Sequence, residues 1–278
     1  MIPSVQRDNL NEKGGSCMPT LVKERTRSRA AAAVERTESP SSETIPGFFA
    51  RGVNFYKLFW LFFIVSFLGC MVETVFMVVT RGQLQNRSGV LYGSFSLVWG
   101  LGAVLFTLCF HKLSAKRPAL VFLAGTLLGA VYEYACSWIQ EVLFGACFWD
   151  YSHLPFNING RVNLVFSMFW GLAAVLWVGR AYPAMCRWIG RIPNRFGKPL
   201  TLVLAGLMVL NIAVTSAALG RMDQRHKGVP ASNAVELFLD AQYPDRVLLK
   251  TFTNLTYIGT DEARAAAGVP KPNDIPGK

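Results

Sequence analysis

Five long apolar runs constrain this chain more than any other feature of its sequence. A helix needs about 20 apolar residues to cross a bilayer core of roughly 30 Å. The runs are Phe55–Thr80, Leu91–Phe110, Pro118–Phe144, Val162–Val178 and Leu200–Leu219. The composition agrees with them, because 52% of the 278 residues are hydrophobic and only 16% are charged. We therefore predict an all-α, polytopic membrane protein of about five transmembrane helices.

The first four runs resemble two copies of one helix-loop-helix hairpin. Glu73 and Glu133 each follow a Leu-Gly pair by four residues, and they lie 60 residues apart. A Ser-x-x-Trp-Gly block starts at Ser96 and again at Ser167, a shift of 71 residues. The ordered match predicts an ancestral duplication with repeats at approximately 55–113 and 118–180. Since a two-helix unit restores the chain direction, the repeats are expected to be parallel.

Outside the hairpins, the sequence predicts three regions. Residues 1–50 have little apolar periodicity and are predicted to be a disordered, basic cytoplasmic tail. Residues 51–221 are predicted to form the transmembrane domain, with its fifth helix at 200–219. Residues 222–278 are predicted to be a C-terminal tail with short amphipathic helices, the first introduced by the capping-box pattern Asn233-x-x-Glu236.

The distribution of Lys and Arg predicts the orientation. Ten basic residues flank the helices on the side of the N-terminal tail, against three in the loops on the other side, with three more just after the fifth helix. Because Lys and Arg accumulate on the cytoplasmic side, we expect the N-terminus inside and the C-terminus outside a cell membrane. The net charge of +11 is explained largely by this topology, so we expect no nucleic-acid partner.

Two glutamates inside apolar helices are the strongest functional signal, because an ionisable residue in the membrane is costly. Glu73 and Glu133 are expected at similar depth, facing a cleft between the repeats and sharing a proton or a cation. Alternatively, Arg87 and Arg161 fold inward and neutralise them, or the glutamates only lock helices together. The second loop is 11 residues longer, since 71 − 60 = 11, and contains an aromatic and polar segment that we expect at the cleft's entrance. The predicted ligand-binding residues are Glu73, Glu133, Arg87, Arg161, Trp149, Asp150, Tyr151 and Asn157.

Other chemistry has little support in the sequence. It contains no G-x-x-x-x-G-K-[ST], H-E-x-x-H or G-x-S-x-G motif, and its six cysteines and three histidines have no metal-site spacing. We therefore expect no intrinsic nucleotide hydrolysis, no bound cofactor and no metal. An alternative is a membrane-interface enzyme or lipid-modifying factor that uses Glu141, Asp150 and His153. Another is a non-catalytic membrane scaffold or sensor.

Several of these residues also carry a resemblance to a known family. The sequence around Glu73, Arg81-Gly82, Asn86-Arg87 and Glu133-Tyr134, and above all Trp149-Asp150-Tyr151-Ser152 with Asn159-Gly160-Arg161, resembles the ABC-transporter type IV family of bacterial multi-pass membrane proteins. The likeness covers roughly residues 55–180, although Gly93-Ser94-Phe95 stands where the family has Gly-Pro-Phe. The resemblance implies a transporter permease.

The leading hypothesis is therefore a permease-like protein that binds a small polar or amphiphilic ligand or ion between the two hairpins. The expected partners are membrane lipid, a separate ATPase subunit docking on loops 111–117 and 179–199, and a second copy of the chain in a homodimer.

Overall fold

The computed structural model describes residues 47–82, 84–111 and 117–269 and is mostly helical. By length and composition, four segments are suited to cross a membrane: Phe55–Thr80, Pro118–Phe144, Leu164–Ile189 and Asn194–His226. A further apolar helix, Leu97–Phe110, is shorter. The predicted all-α, multi-pass membrane fold is thereby confirmed. The tail predicted at 1–50 lies outside the described residues, apart from its last four.

In chain order, the α-helices are α1 (Phe55–Arg81), α2 (Leu97–Phe110), α3 (Pro118–Phe144), α4 (Leu164–Leu176), α5 (Tyr182–Ile189), α6 (Asn194–His226), α7 (Ala234–Gln242), α8 (Asp245–Thr251) and α9 (Asp261–Ala266). A π-helical turn, Trp177–Ala181, joins α4 to α5 without a break. The short strands are β1 (Ala146–Cys147), β2 (Asn157–Ile158), β3 (Val162–Asn163) and β4 (Thr256–Tyr257). β1 pairs with β4 and β2 with β3, both antiparallel.

Local sequence sets the ends of the long helices. Asn54 caps α1 by accepting a hydrogen bond from the backbone N–H of Lys57. α1 ends at Gly82 and α3 at Gly145, and both glycines have a left-handed backbone, with φ of 66° and 56°. α3 starts at Pro118. Proline has no backbone N–H, so it leaves no unpaired donor in the first turn of the helix.

The second apolar run is helical over only part of its predicted length. α2 has 14 residues and spans about 21 Å, and the segment 91–96 before it is not helical. The backbone N–H of Leu91 donates to Thr215 Oγ1 of α6 at 3.0 Å. Asn211 of α6 accepts from the N–H of Tyr92 at 3.2 Å and donates to its carbonyl at 2.7 Å. These two polar side chains satisfy backbone groups of the non-helical segment, as an apolar environment requires.

Glycines bring the helices of each hairpin into close contact. A Cβ atom on Gly69 of α1 would lie 2.3 Å from the side chain of Trp99, and one on Gly129 of α3 would lie 2.2 Å from that of Trp170. Because glycine has no side chain, the indole ring of the next helix packs directly against the glycine backbone in both hairpins.

A second set of contacts corresponds between the hairpins in the same way. A Cβ atom on Gly100 would clash with Ser66 and Phe62 of α1, and one on Gly171 would clash with Thr126 and Phe122 of α3. The partners on α1 and α3 are 60 residues apart, and the glycines on α2 and α4 are 71 residues apart. These are the two shifts found in the sequence.

The bundle has two distinct ends. At one, which we call the loop end, the C-terminal residues contact both hairpin loops: Thr253 Oγ1 donates to the carbonyl of Asn86 at 2.9 Å, and Asn254 donates to that of Phe148 at 3.0 Å. At the opposite end, the backbone N–H of Phe49 donates to Asn194 Oδ1 at 2.8 Å, beside the start of α6. Within residues 47–269, the described chain therefore runs between the two ends five times when α2 is counted.

The C-terminal helices are held to the loop end of α6 by ion pairs. Arg221, whose side chain is 3% exposed, contacts Asp240 at 2.9 Å. Arg225 contacts Asp240 at 2.6 Å and also pairs with Asp245. Asn233 caps α7 by accepting from the N–H of Glu236. Arg221 and Arg225 are thus paired with acids of α7 and α8, whereas Lys227 pairs with Asp223 of α6.

Candidate functional site

Glu73 lies on α1 and is held by groups from the rest of its own hairpin. Its Oε1 atom accepts a hydrogen bond from the indole N–H of Trp99. Its Oε2 atom accepts a hydrogen bond from Arg87 Nε at 3.2 Å. The side chain of Glu73 is 29% exposed and that of Arg87 is 20% exposed. The neutralisation expected for the first hairpin is therefore present, since a guanidinium offsets this carboxylate.

Glu133 occupies the corresponding position on α3 but has a different environment. The residue is only 6% exposed. Its Oε1 atom accepts from the hydroxyl of Tyr151 at 2.9 Å. The indole of Trp170 lies beside the same carboxylate, yet no donor among the described residues completes a hydrogen bond to Oε2. A buried carboxylate with one unsatisfied oxygen is energetically costly.

The two hairpins meet through the tryptophans that accompany the glutamates. The rings of Trp99 and Trp170 have centroids 5.9 Å apart. Tyr132, which precedes Glu133, donates from its hydroxyl to the carbonyl of Val98 in α2 at 2.8 Å. The two hairpins are thus joined beside the glutamates by two tilted indole rings and a hydrogen bond.

Tyr151 is the loop residue whose pKa is raised by burial and by the charges of both glutamates. Burial raises its pKa, the negative charges of Glu133 and Glu73 raise it further, and the positive charge of Arg87 opposes them. Its ring stacks on Phe166 with centroids 4.6 Å apart. The phenol therefore stays protonated and serves as a hydrogen-bond donor to Glu133.

Arg161 does not pair with Glu133, so the alternative of neutralisation fails in the second hairpin. Its guanidinium pairs instead with Glu141, nearer the loop end of α3, and donates to Ser137 Oγ at 3.3 Å. Arg264 of α9 pairs with the same Glu141. The longer second loop supplies Tyr151 at the glutamate and moves the arginine away from it.

The three remaining predicted residues stabilise the second loop. Trp149 donates from its indole to the carbonyl of Arg161 at 3.0 Å. Asp150 accepts from the N–H of Ser152 at 3.0 Å. Asn157 donates to the carbonyl of Leu154 at 2.7 Å and accepts from the N–H of Gly160 at 3.0 Å. Their polar atoms are thus used within the loop, and the cluster between the hairpins consists of Glu73, Arg87, Glu133 and Tyr151.

Sequence analysis missed the two tryptophans as members of the site. Trp99 donates to Glu73, and Trp170 lies against both Glu133 and Trp99. The available signal was the repeated Ser-x-x-Trp-Gly block, which placed one tryptophan in each hairpin.

The residues of the alternative enzyme site do not come together. Glu141 and Asp150 line one small cavity at the loop end, but Glu141 is held by two arginines. His153 is exposed and is not among the residues that line this cavity. Within the described ranges, no group of three or more His, Cys, Asp or Glu side chains is placed to hold a metal ion.

Comparison with known proteins identifies the family. The model of the family described as "Putative ABC-transporter type IV" matches residues 60–216, which is more than half of the chain. Neither the curated proteins nor the solved structures gave a significant match. The matched range contains both glutamates, both tryptophans and the second loop. The chain therefore belongs to the ABC-transporter type IV family.

Proposed function

We propose that this protein is a permease-like transporter that binds a small polar or amphiphilic ligand, or an ion, between two duplicated hairpins. The carrying observation is the unequal pair of glutamates. Glu73 is neutralised by Arg87, whereas Glu133 is buried, accepts from Tyr151 and has one oxygen that receives no hydrogen bond from any described residue.

This arrangement favours a positively charged occupant at Glu133. A buried carboxylate without a counter-charge is several kcal/mol less stable than a paired one. A proton or the cationic group of a ligand supplies that charge. In this proposal, Glu73 and Arg87 line the side of the site that faces Glu133. Tyr151 lies between the site and the loop end.

Similar contacts in the two hairpins support the same proposal. Corresponding glycine, tryptophan and glutamate residues make corresponding contacts in the two hairpins. Two similar hairpins related by a pseudo-twofold axis place a binding site at their junction in many transporters. We propose that the second hairpin lost its arginine partner and gained Tyr151, which made Glu133 the binding carboxylate.

ATP-driven transport requires a separate ATPase subunit, because the chain has no nucleotide-hydrolysis motif. We propose a cell-membrane location with the opposite end facing the cytoplasm, where such a subunit would act. A homodimer is part of the same proposal, since five crossings are few for a complete pathway.

The test compares Glu133→Gln with Glu73→Gln in proteoliposomes. Glutamine keeps the shape of the side chain and removes its charge. We expect Glu133→Gln to abolish ligand or cation uptake. We expect Glu73→Gln to lower uptake as well, because Arg87 is left unpaired beside the site, but to lower it less than Glu133→Gln does. Ser232→Ala at the exposed cap of α7 serves as a control. If both glutamine variants are folded and their uptake is unchanged, the glutamates only pack helices and the protein is a scaffold.

A further inference from the structure

A basic surface at the opposite end of the bundle is not used by the proposed transport site. It is formed by α5, the connection after it and the first turn of α6. Its exposed side chains are Arg187, Trp188, Arg191, Arg195, Phe196 and Lys198, and we call these six residues the basic ledge.

The positive charge of the ledge has no acidic neighbours along the chain. Residues 151–222 contain no Asp or Glu. The described parts of the chain that also reach this end, in 47–72 and 97–132, contain none either. Every ion pair found among the described residues involves Glu73, Glu141 or an acid of the C-terminal region, all toward the loop end. Among the described residues, no acidic side chain therefore offsets the positive charge of the ledge.

The ledge is held rigidly against the core. Met185, Cys186 and Ile189 on the other face of α5 are buried. Asn194 accepts from the N–H of Phe49 at 2.8 Å and donates to the carbonyl of Gly47 at 3.0 Å. Gly197 packs so closely on the ring of Phe49 that a Cβ atom would lie 2.3 Å from it. The basic side chains thus project from a fixed backbone.

The ledge also lies where two membrane spans meet. One candidate span ends at Ile189 and the next begins at Asn194, so the connection between them lies at the membrane boundary. Trp188 and Phe196 are 46% and 50% exposed. Aromatic rings are favoured at the level of lipid headgroups, and arginines bind phosphate oxygens with two parallel hydrogen bonds.

We propose that the basic ledge binds the phosphate headgroups of anionic phospholipids in the leaflet at the opposite end of the bundle. The aromatic rings enter the interface, while Arg187, Arg191, Arg195 and Lys198 contact phosphates. Each basic residue near an anionic surface strengthens such binding about fivefold at moderate salt. This inference does not depend on Glu73 or Glu133 and stands if the transport proposal fails.

The test uses the purified full-length protein in detergent and compares bound phosphatidylglycerol with phosphatidylcholine by native mass spectrometry. We expect phosphatidylglycerol to be preferred, and R187Q/R191Q to weaken that preference about 25-fold. R246Q/K250Q removes the same charge from exposed residues of α8 at the loop end, and we expect it to change the preference by less than about twofold. R195Q/K198Q provides an independent second pair.

Two results would overturn the proposal. One is a lipid preference that does not depend on the ledge: either the two lipids bind equally, or both ledge variants keep the preference of the wild-type protein. The other is ledge-dependent binding of a polyglutamate peptide without a preference for phosphatidylglycerol, which would assign the surface to an acidic protein partner. Thermal unfolding of each variant in the same detergent checks that the folded state is retained.

Discussion

The indole rings of Trp99 and Trp170 lie 5.9 Å apart between their centroids. Each is admitted by a glycine, Gly69 or Gly129, that lies one helical turn before a glutamate. One packing contact therefore fixes the position of both intramembrane carboxylates. Helix packing and the candidate site depend on the same residues.

Gly129→Ala is expected to destabilise the protein, because the added Cβ would lie 2.2 Å from the Cβ of Trp170. Overpacking of this kind costs about 1–3 kcal/mol. Gly206→Ala is the matched control, since a Cβ there meets no atom within 4 Å. The free energy of unfolding in mixed micelles measures both variants, and equal values would contradict the close packing of α3 on α4.

Tyr151→Phe is expected to remove the described donor from Glu133. A hydrogen bond to a charged group contributes about 1.5–3 kcal/mol, so we expect a loss of stability of that order and weaker ligand binding. Tyr92→Phe is the control, because the hydroxyl of Tyr92 meets that of Tyr243 at an exposed position. Similar losses in both variants would refute a special role for Tyr151.

Tyr151 also predicts a pH dependence. Burial and then the charge of Glu133 raise its pKa in the folded protein, from an ordinary value of about 10. The stabilisation is therefore complete below about pH 10 and is lost as the pH rises through the folded-state value. We expect the wild-type protein to lose more stability than Tyr151→Phe above this pH, as measured by chemical denaturation. Parallel curves for the two proteins would be inconsistent with this titration.

Arg161→Gln is expected to leave Glu141 with only Arg264. The side chain of Arg161 is 7% exposed. Because Glu141 keeps Arg264, we expect the loss to stay below the cost of about 3–5 kcal/mol that follows when a buried charge is left unpaired. Lys227→Gln removes an ion pair whose lysine is 48% exposed, so its cost is expected to stay below about 1 kcal/mol. Urea unfolding compares the variants. Comparable losses would mean that Arg161 is solvated in the membrane-bound protein.

The orientation prediction is tested with reporter fusions. The start of the described chain and the C-terminal helices lie at opposite ends of the bundle, so an odd number of crossings is expected. A periplasmic-type phosphatase fused after Lys278 should be active, and one fused in the segment 190–193 should be inactive. The reverse pattern would place the basic ledge outside the cell.

The length of the apolar runs predicted the bundle, because such runs have few alternatives in a membrane. It failed at the start of α2, where the predicted run included residues 91–96 although they contain Gly93 and two serines. Their backbone is instead satisfied by Asn211 and Thr215, more than 100 residues away in the sequence. The tertiary hydrogen bonds leave no local signal, but Gly93 does, because its backbone is left-handed with φ of 83°.

The site was predictable where partners are close in the sequence. Arg87 lies only 14 residues after Glu73, across a short loop, and the expected ion pair formed. The partner of Glu133 was not predictable, because the longer second loop folds back through β2 and β3. That fold brings Tyr151, rather than Arg161, to the glutamate. Tertiary geometry alone distinguishes these two candidates.

The shortness of α2 has an electrical consequence for a charged substrate. Glu73 lies eight residues before the end of α1, or about 12 Å from the loop end, beside a helix that covers only part of the bilayer thickness. A full crossing at 100 mV changes the energy of a unit charge by about 2.3 kcal/mol. A cation that reaches the glutamates from the loop end senses the smaller share of this field. For the proposed cation site, membrane voltage would therefore act mainly on exchange with the opposite end of the bundle.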